Sequence, residues 1–282
     1  MGTLDHKVAV ITGASRGIGL AIAQALAREG AAVILAARST ASVQQAIAKI
    51  TSQGGQASGI ACDVSQLEQV YALRDHALQT FGRLDIWINN AGVAGPYGPT
   101  LGLSPEDFHQ VVQTNILGVY HGSRVAMQHF QTQRAGKLVN LVGAGASSPT
   151  PYQSAYGSSK AWVKSFTLAL AKETRDSGVG VFAFQPGMVL TDMLLDVHVV
   201  SGHEHRLKVF PKVIRVLARL PEAPAKKLAW VVSPATDGKT GKLYSMPFFF
   251  HALRGLFGLF FRRGMLPVVK LTSVPSAEDN RA

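Results

Sequence analysis

Tyr156 and Lys160 stand four residues apart in SAYGSSKAWVKSF, so on a helix they share one face. A free phenol has a pKa of about 10, and an ammonium group beside it favours the phenolate. The pair is a candidate acid/base unit. Tyr and Lys at this spacing are common on ordinary helices, so the rest of the chain decides what the pair means. A second candidate is TGASRGIG at residues 12–19, which follows the apolar run VAVI and opens the amphipathic stretch IGLAIAQALAREG. A glycine-rich strand-to-helix turn lets backbone N–H groups and the positive end of the helix dipole approach a pyrophosphate. Gly13, Ser15, Arg16, Gly17, Ile18 and Gly19 are thereby placed at a dinucleotide.

The end of the next apolar run, VILAARS, meets the adenosine ribose in such a site. An acid there would accept from both ribose hydroxyls, but this chain has Ala37 and then Arg38, with a second cation at Arg16. Two guanidinium groups suit a 2′-phosphate through charge-assisted, bidentate hydrogen bonds. NADP(H) is the expected cofactor, and no metal is expected.

These side chains need a scaffold, and the apolar pattern supplies one. Val- and Ile-rich runs, each bounded by Gly or a turn, predict strands over 7–12, 32–37, 58–62, 86–89, 137–142, 180–185 and 242–245. Helical stretches over 18–29, 40–51, 66–81, 104–133 and 154–177 alternate with them. Such alternation predicts an α/β fold, a single doubly wound Rossmann-type parallel sheet, followed by a C-terminal extension. Ser104-Pro105-Glu106-Asp107 reads as a helix start, with a cap, a proline at the first position and acids in the first turn. Residues 193–220 read as helical and basic, and are taken as a lid within a catalytic domain of residues 1–246.

At 282 residues, 47% hydrophobic and 16% charged, the chain suits one large α/β unit and not a disordered protein. The lone Cys62 excludes an internal disulfide and fits a reducing compartment. With no apolar signal core in MGTLDHKVAVITG, a cytoplasmic protein is expected. The net charge of +11 is uneven, about +3 over residues 1–192 and +8 over 193–282. That basic third fits an anionic surface or a solvated face; without a recognised motif, no nucleic-acid partner is expected.

Over residues 5–246 the ordered motifs resemble the short-chain dehydrogenase/reductase family. They are TGASRGIG, Asp63-Val64 after the third strand, NNAG at 89–92, Asn115, Tyr156-x-x-x-Lys160, and Pro186-Gly187 followed by Thr191. The resemblance implies interconversion of a carbonyl and an alcohol, with Tyr156 as acid/base, Lys160 as its partner and holder of the nicotinamide ribose, and Asn115 on a water-linked proton path. It also implies that Asp63 and Asn90 contact the adenine and its ribose, that Val64, Ala91 and Gly92 belong to the cofactor site with Ala91 and Gly92 lining its cleft, and that Pro186 and Gly187 shape the loop at the nicotinamide end, with Thr191 reaching the carboxamide or a phosphate. Gln185 stands where the family more often has Asn.

One position departs from the pattern. The family usually carries a serine thirteen residues before the tyrosine, whose hydroxyl polarises the substrate carbonyl, and this chain has Gly143 there. Losing one such donor costs a factor of about 100 or more in rate. Ser147, Ser148, a backbone N–H of residues 143–145 or a substrate hydroxyl are the replacements left open. The gap also leaves open a catalytically weak dinucleotide-binding scaffold or sensor.

Beyond residue 246 the chain continues as PFFFHALRGLFGLFFRRGMLPVV, apolar with arginines at 254, 262 and 263. Three readings stand for 247–266: a flap over an apolar substrate, a contact in a homo-oligomer, or a peripheral membrane contact. The uninterrupted apolar runs are too short to span a bilayer. The expected partners are an apolar small-molecule substrate and further copies of the chain.

Overall fold

The computed structural model describes residues 2–247 and 267–277. Among them the strands are β1 (Val8–Thr12), β2 (Ala32–Ala37), β3 (Ala57–Ala61), β4 (Ile86–Asn89), β5 (Gly136–Leu141), β6 (Val179–Gln185), β7 (Asp196–Val200), β8 (Lys242–Ser245) and β9 (Lys270–Val274). The helices are α1 (Gly17–Arg28), α2 (Thr40–Thr51), α3 (Leu67–Phe81), α4 (Pro105–Val111), α5 (Gly118–Gln133), α6 (Ser154–Glu173), α7 (Asp192–Leu195), α8 (Phe210–Leu217) and α9 (Glu222–Val232).

Seven strands make one parallel sheet in the order β3-β2-β1-β4-β5-β6-β8. All seven expected strands are present, with bounds shifted by a residue at most. β1 is buried along its whole length and β2 along all but its last residue, because a parallel sheet is covered on both faces. Alternation survives inside these runs. Ala9, Ile11, Val33 and Leu35 pack with Ile22 and Leu26 of α1, Ile50 of α2 and Leu228 of α9. Val8, Val10 and Ile34 pack on the other face with Leu73 of α3 and Phe130 of α5. Trp87, Phe130, Phe182 and Phe184 are fully buried, each stabilising the fold by about 1.5 to 3 kcal/mol.

The start at Ser104 is as expected: its hydroxyl accepts from the Asp107 N–H at 3.0 Å, with Pro105 in the first position. The helix expected over 104–133 is not continuous. It runs as α4, then a π-helical segment Val112–Leu117, then α5. A π segment inserts a residue into the turn, and such insertions are frequent at functional sites.

The stretch expected to be helical over 193–220 holds two short helices and the strand β7. β7 pairs in parallel with β9, Asp196 opposite Lys270 and Val200 opposite Val274. DVHVV is rich in β-branched residues, but its partner lies some seventy residues away, out of reach of any local pattern. The expectation for 247–266 falls, apart from Pro247, outside the described residues. Among the described residues no helix is long and apolar enough to cross a membrane.

Candidate active site

Because the seven strands are parallel, their C-terminal ends lie along one edge, and the loops leaving that edge carry the candidate residues. The sheet order reverses beside β1, where β2 lies on one side and β4 on the other. A crevice at such a reversal is where open α/β sheets bind ligands.

The loop from β1 to α1 lines this crevice. Gly13 and Gly17 have φ of +64° and +55°, a region that favours glycine. A Cβ on Gly13 would meet Ala91 Cα at 2.8 Å, and one on Gly17 would meet the Thr191 methyl at 3.3 Å. The glycine loop therefore touches both the 89–92 turn and the loop after β6. Arg16 is the N-cap of α1 and supplies no side-chain cap, so the first N–H groups of this twelve-residue helix lack one.

Asn90 and Ala91 are fixed from β1. Both backbone N–H groups donate to Thr12 Oγ1 at 3.1 Å, and the Asn90 amide donates to the carbonyls of Thr12 and Gly13. Asp63 Oδ1 accepts from the Ser65 N–H at 2.9 Å, closing a turn. Val64 is buried, and its carbonyl meets His121 Nδ1 at 3.0 Å. Arg38 is exposed and makes no hydrogen bond or ion pair with the described residues. Arg16 is also exposed and pairs with Asp192 at 3.5 Å. Pro186 is buried, while Gly187, with φ +76°, is exposed.

Tyr156 and Lys160 lie on α6, facing the end of β5. Lys160 is buried, donates to the Leu141 carbonyl at 3.3 Å and sits 5.6 Å from the centre of the Tyr156 ring. Burial pushes the Tyr156 hydroxyl up to about 12 and brings the Lys160 ammonium down to about 8. Proximity alone predicts a lowered phenol. Here dehydration of the hydroxyl prevails and raises it. Asn115 is fully buried in the π segment, exchanges two 2.9 Å hydrogen bonds with the backbone of Val93 and donates to Ser159 Oγ at 3.0 Å. It thus ties the residue that follows the 89–92 turn to α6 one residue before Lys160.

At Gly143 the departure has a steric counterpart. A Cβ there would lie 2.5 Å from the Tyr156 hydroxyl and 3.4 Å from Lys160 Cγ. Neither serine of the following loop stands in for a side chain at 143. Ser147 and Ser148 are exposed, and the Ser147 hydroxyl accepts from Lys164 at 3.0 Å. A narrow pocket beside Tyr156 is walled by Ala94, Gly95, Leu103, Val111 and Gln153 among others, and is mostly apolar.

Sequence reasoning passed over Thr12 and Ser159, both buried and both central to the hydrogen bonds above. A lone hydroxyl residue in a strand or helix carries no local mark of the turn it fastens. Asn140 was also missed; it joins Asn89, Ser123 and Thr167 in a buried polar network under the site.

The family model for short chain dehydrogenase matches residues 7–198. The chain belongs to the short-chain dehydrogenase/reductase family. Among curated relatives, the probable chlorophyll(ide) b reductase of Oryza sativa subsp. japonica is 38% identical over 238 residues. That alignment takes 78% of this chain and 46% of the relative, so the chain spans about half that relative's length. Of solved structures, a variant of actinorhodin polyketide ketoreductase with NADPH superposes with a TM-score of 0.79 at 29% identity, covering 89% of this chain and 99% of that one. The 3-ketoacyl-(acyl-carrier-protein) reductase of Brucella melitensis, complexed with NADH, gives 0.76 at 31%, covering 86% and 97%. The chain has the α/β fold of that family, and these two solved neighbours are complexes with NADPH and NADH.

Proposed function

We propose that this protein uses NADPH to reduce a ketone or aldehyde on an apolar small molecule, with Tyr156 as the proton donor. The observation that carries this reading is the pairing of a half-buried Tyr156 with a buried Lys160 at the C-terminal edge of the sheet, the edge that also carries the glycine loop. A dinucleotide fits the residues present. The uncapped start of α1 faces the β1 loop, and Gly13 and Gly17 remove side chains where Ala91 and Thr191 come close. Gly13, Ser15, Arg16, Gly17, Ile18 and Gly19 would hold the pyrophosphate, and Asp63, Val64, Asn90, Ala91 and Gly92 the adenosine side. Lys160, Pro186, Gly187 and Thr191 would hold the nicotinamide end. When bound, the reduced nicotinamide supplies the hydride.

The chain does the rest of the chemistry. As the carbonyl oxygen gains negative charge, Tyr156 gives it a proton, and Lys160 stabilises the phenolate left behind. A phenol pushed up to about 12 is fully protonated at neutral pH, which suits an acid and so favours reduction. Lys160 is charged only below about 8. The reductive kcat is therefore expected to fall as pH rises through about 8, with Tyr156 itself still protonated. A pH profile of NADPH-dependent reduction checks this, and a rate that stays level or climbs past that point would remove Lys160's charge from the mechanism.

The preference for NADP(H) rests on Arg38, exposed and unpaired among the described residues just after β2; Arg16, the second cation, is exposed in the glycine loop and pairs with Asp192 at 3.5 Å. NADPH should bind at least about tenfold more tightly than NADH, a difference of about 1.4 kcal/mol. Arg38→Ala should erase most of that gap and leave NADH binding unchanged. Calorimetric titration with both cofactors tests it; equal affinities in the native protein would refute the assignment.

The apolar wall supports an apolar substrate. Residues 193–220, held by the β7–β9 pair, are read as its cover. Exposed Phe108, Leu117 and Tyr120 along α4 to α5 support self-association. A second reading, a scaffold that binds dinucleotide and turns over little, draws on Gly143. Tight NADPH binding without reduction of any ketone in a broad panel would replace the first reading with it.

A further inference from the structure

We propose that Gln153 replaces the missing serine, donating a hydrogen bond from its carboxamide to the substrate carbonyl; this rests on the reading of Tyr156 as proton donor. The Tyr156 hydroxyl lies against Gly143, leaving little room for a side chain there. Ser147 is occupied by Lys164 and, like Ser148, exposed. Of the pocket's polar walls, Asp107 accepts from the Ser104 hydroxyl and has no proton to give as a carboxylate. Tyr156 is the acid. Gln153 is then the remaining side chain in that wall with an N–H, and its amide makes no hydrogen bond with the described residues.

Its placement is built. Gln153 stands at the N-cap position of α6, three residues before Tyr156; its side chain makes no cap hydrogen bond, and both residues line the same pocket. Its N–H donates to the Thr150 carbonyl at 3.2 Å, and its carbonyl accepts from Gly157 at 2.7 Å. Tyr152, just before it, has a φ of +65°, costly for a tyrosine unless its neighbours enforce it. They do so from three directions. Tyr97 stacks on its ring at 5.6 Å, the Arg206 guanidinium lies 4.3 Å from its centre, and the Gly98 N–H donates to its carbonyl at 2.9 Å. Tyr97 is itself fastened to β7, its N–H donating to His198 and its carbonyl accepting from Val200. The turn that aims Gln153 is thus anchored to the strand completed by β9.

In the reaction the carbonyl carbon takes the hydride and its oxygen takes the Tyr156 proton, while Gln153 keeps both of its own. A neutral amide donor strengthens as negative charge builds on the oxygen, so its effect falls on kcat.

The test uses the full chain, NADPH and ethyl acetoacetate as the probe ketone. Gln153→Met keeps the length and loses the donor; kcat should fall by about tenfold or more with NADPH affinity unchanged. Gln153→Glu presents an acceptor at neutral pH and should be slower still. Its rate, relative to the native enzyme, should recover as pH falls toward about 4 to 5 and the carboxyl regains a proton to donate. A purely structural role for Gln153 would not give that pH signature. If Gln153→Met keeps kcat within about twofold while Tyr156→Phe is inactive, the proposal is overturned and the donor is a backbone N–H of residues 143–145. If Tyr156→Phe also keeps its turnover, the underlying reading has failed and this one with it.

Discussion

Replacing Tyr156 with phenylalanine should lower kcat by about a thousandfold while leaving the fold and the dinucleotide site as they are. General acid catalysis by a positioned side chain contributes about 10² to 10⁴ in rate, or roughly 3 to 5.5 kcal/mol at 1.36 kcal/mol per decade. No other group is placed to compensate. Ser147 is bound to Lys164 on the surface, and the Lys160 ammonium is spent on the Leu141 carbonyl at 3.3 Å. Stability should hardly change, because the hydroxyl makes no hydrogen bond with the described residues and the ring is retained. The measurement pairs turnover with NADPH titration and thermal unfolding. Unchanged Kd and Tm with kcat near the detection limit is the expected result. Retained turnover would put the proton elsewhere and take away the central assignment.

Much of this architecture was legible in the sequence because a doubly wound sheet writes itself locally. Continuous apolar runs such as VAVI and AVILAA must be buried on both faces, and glycine or proline marks most exits from the strands of the sheet, β2 and β3 excepted. The crevice was legible for the same reason: TGASRGIG and NNAG are turns whose residue types follow from close backbone approach. What escaped depends on distance. β7 needs a partner some seventy residues on, and the Arg16–Asp192 ion pair joins loops 176 residues apart. The π segment around Asn115 escaped because an apolar periodicity of 3.6 barely registers one inserted residue. Burial of the Tyr156 hydroxyl, which raises its pKa, was not legible either, because the residue spacing shows the neighbouring ammonium but not how far the fold dehydrates the phenol.

Gly143 is where sequence and structure together make the sharpest demand. Resemblance to the family suggests that restoring a side chain at this position repairs an impaired site. The structure argues the reverse. A Cβ at 143 would fall 2.5 Å from the Tyr156 hydroxyl, about 1 Å inside ordinary contact. The obstacle is the end of one side chain, so the fold relieves the clash by tilting the phenol, at little expense in stability. Catalysis has no such freedom, since displacing a reacting group by about 1 Å can cost about a hundredfold. Gly143→Ala should therefore lower kcat by about ten- to a hundredfold with Tm almost unchanged, and Gly143→Ser should not exceed the native rate. NADPH affinity should hold, since the glycine loop lies elsewhere along the sheet edge. Steady-state kinetics and thermal unfolding of the two variants decide the matter. A gain in kcat for Gly143→Ser would mean that Tyr156 has room to retreat into the family's usual position, and that glycine at 143 is a loss the enzyme tolerates and not a fit it depends on.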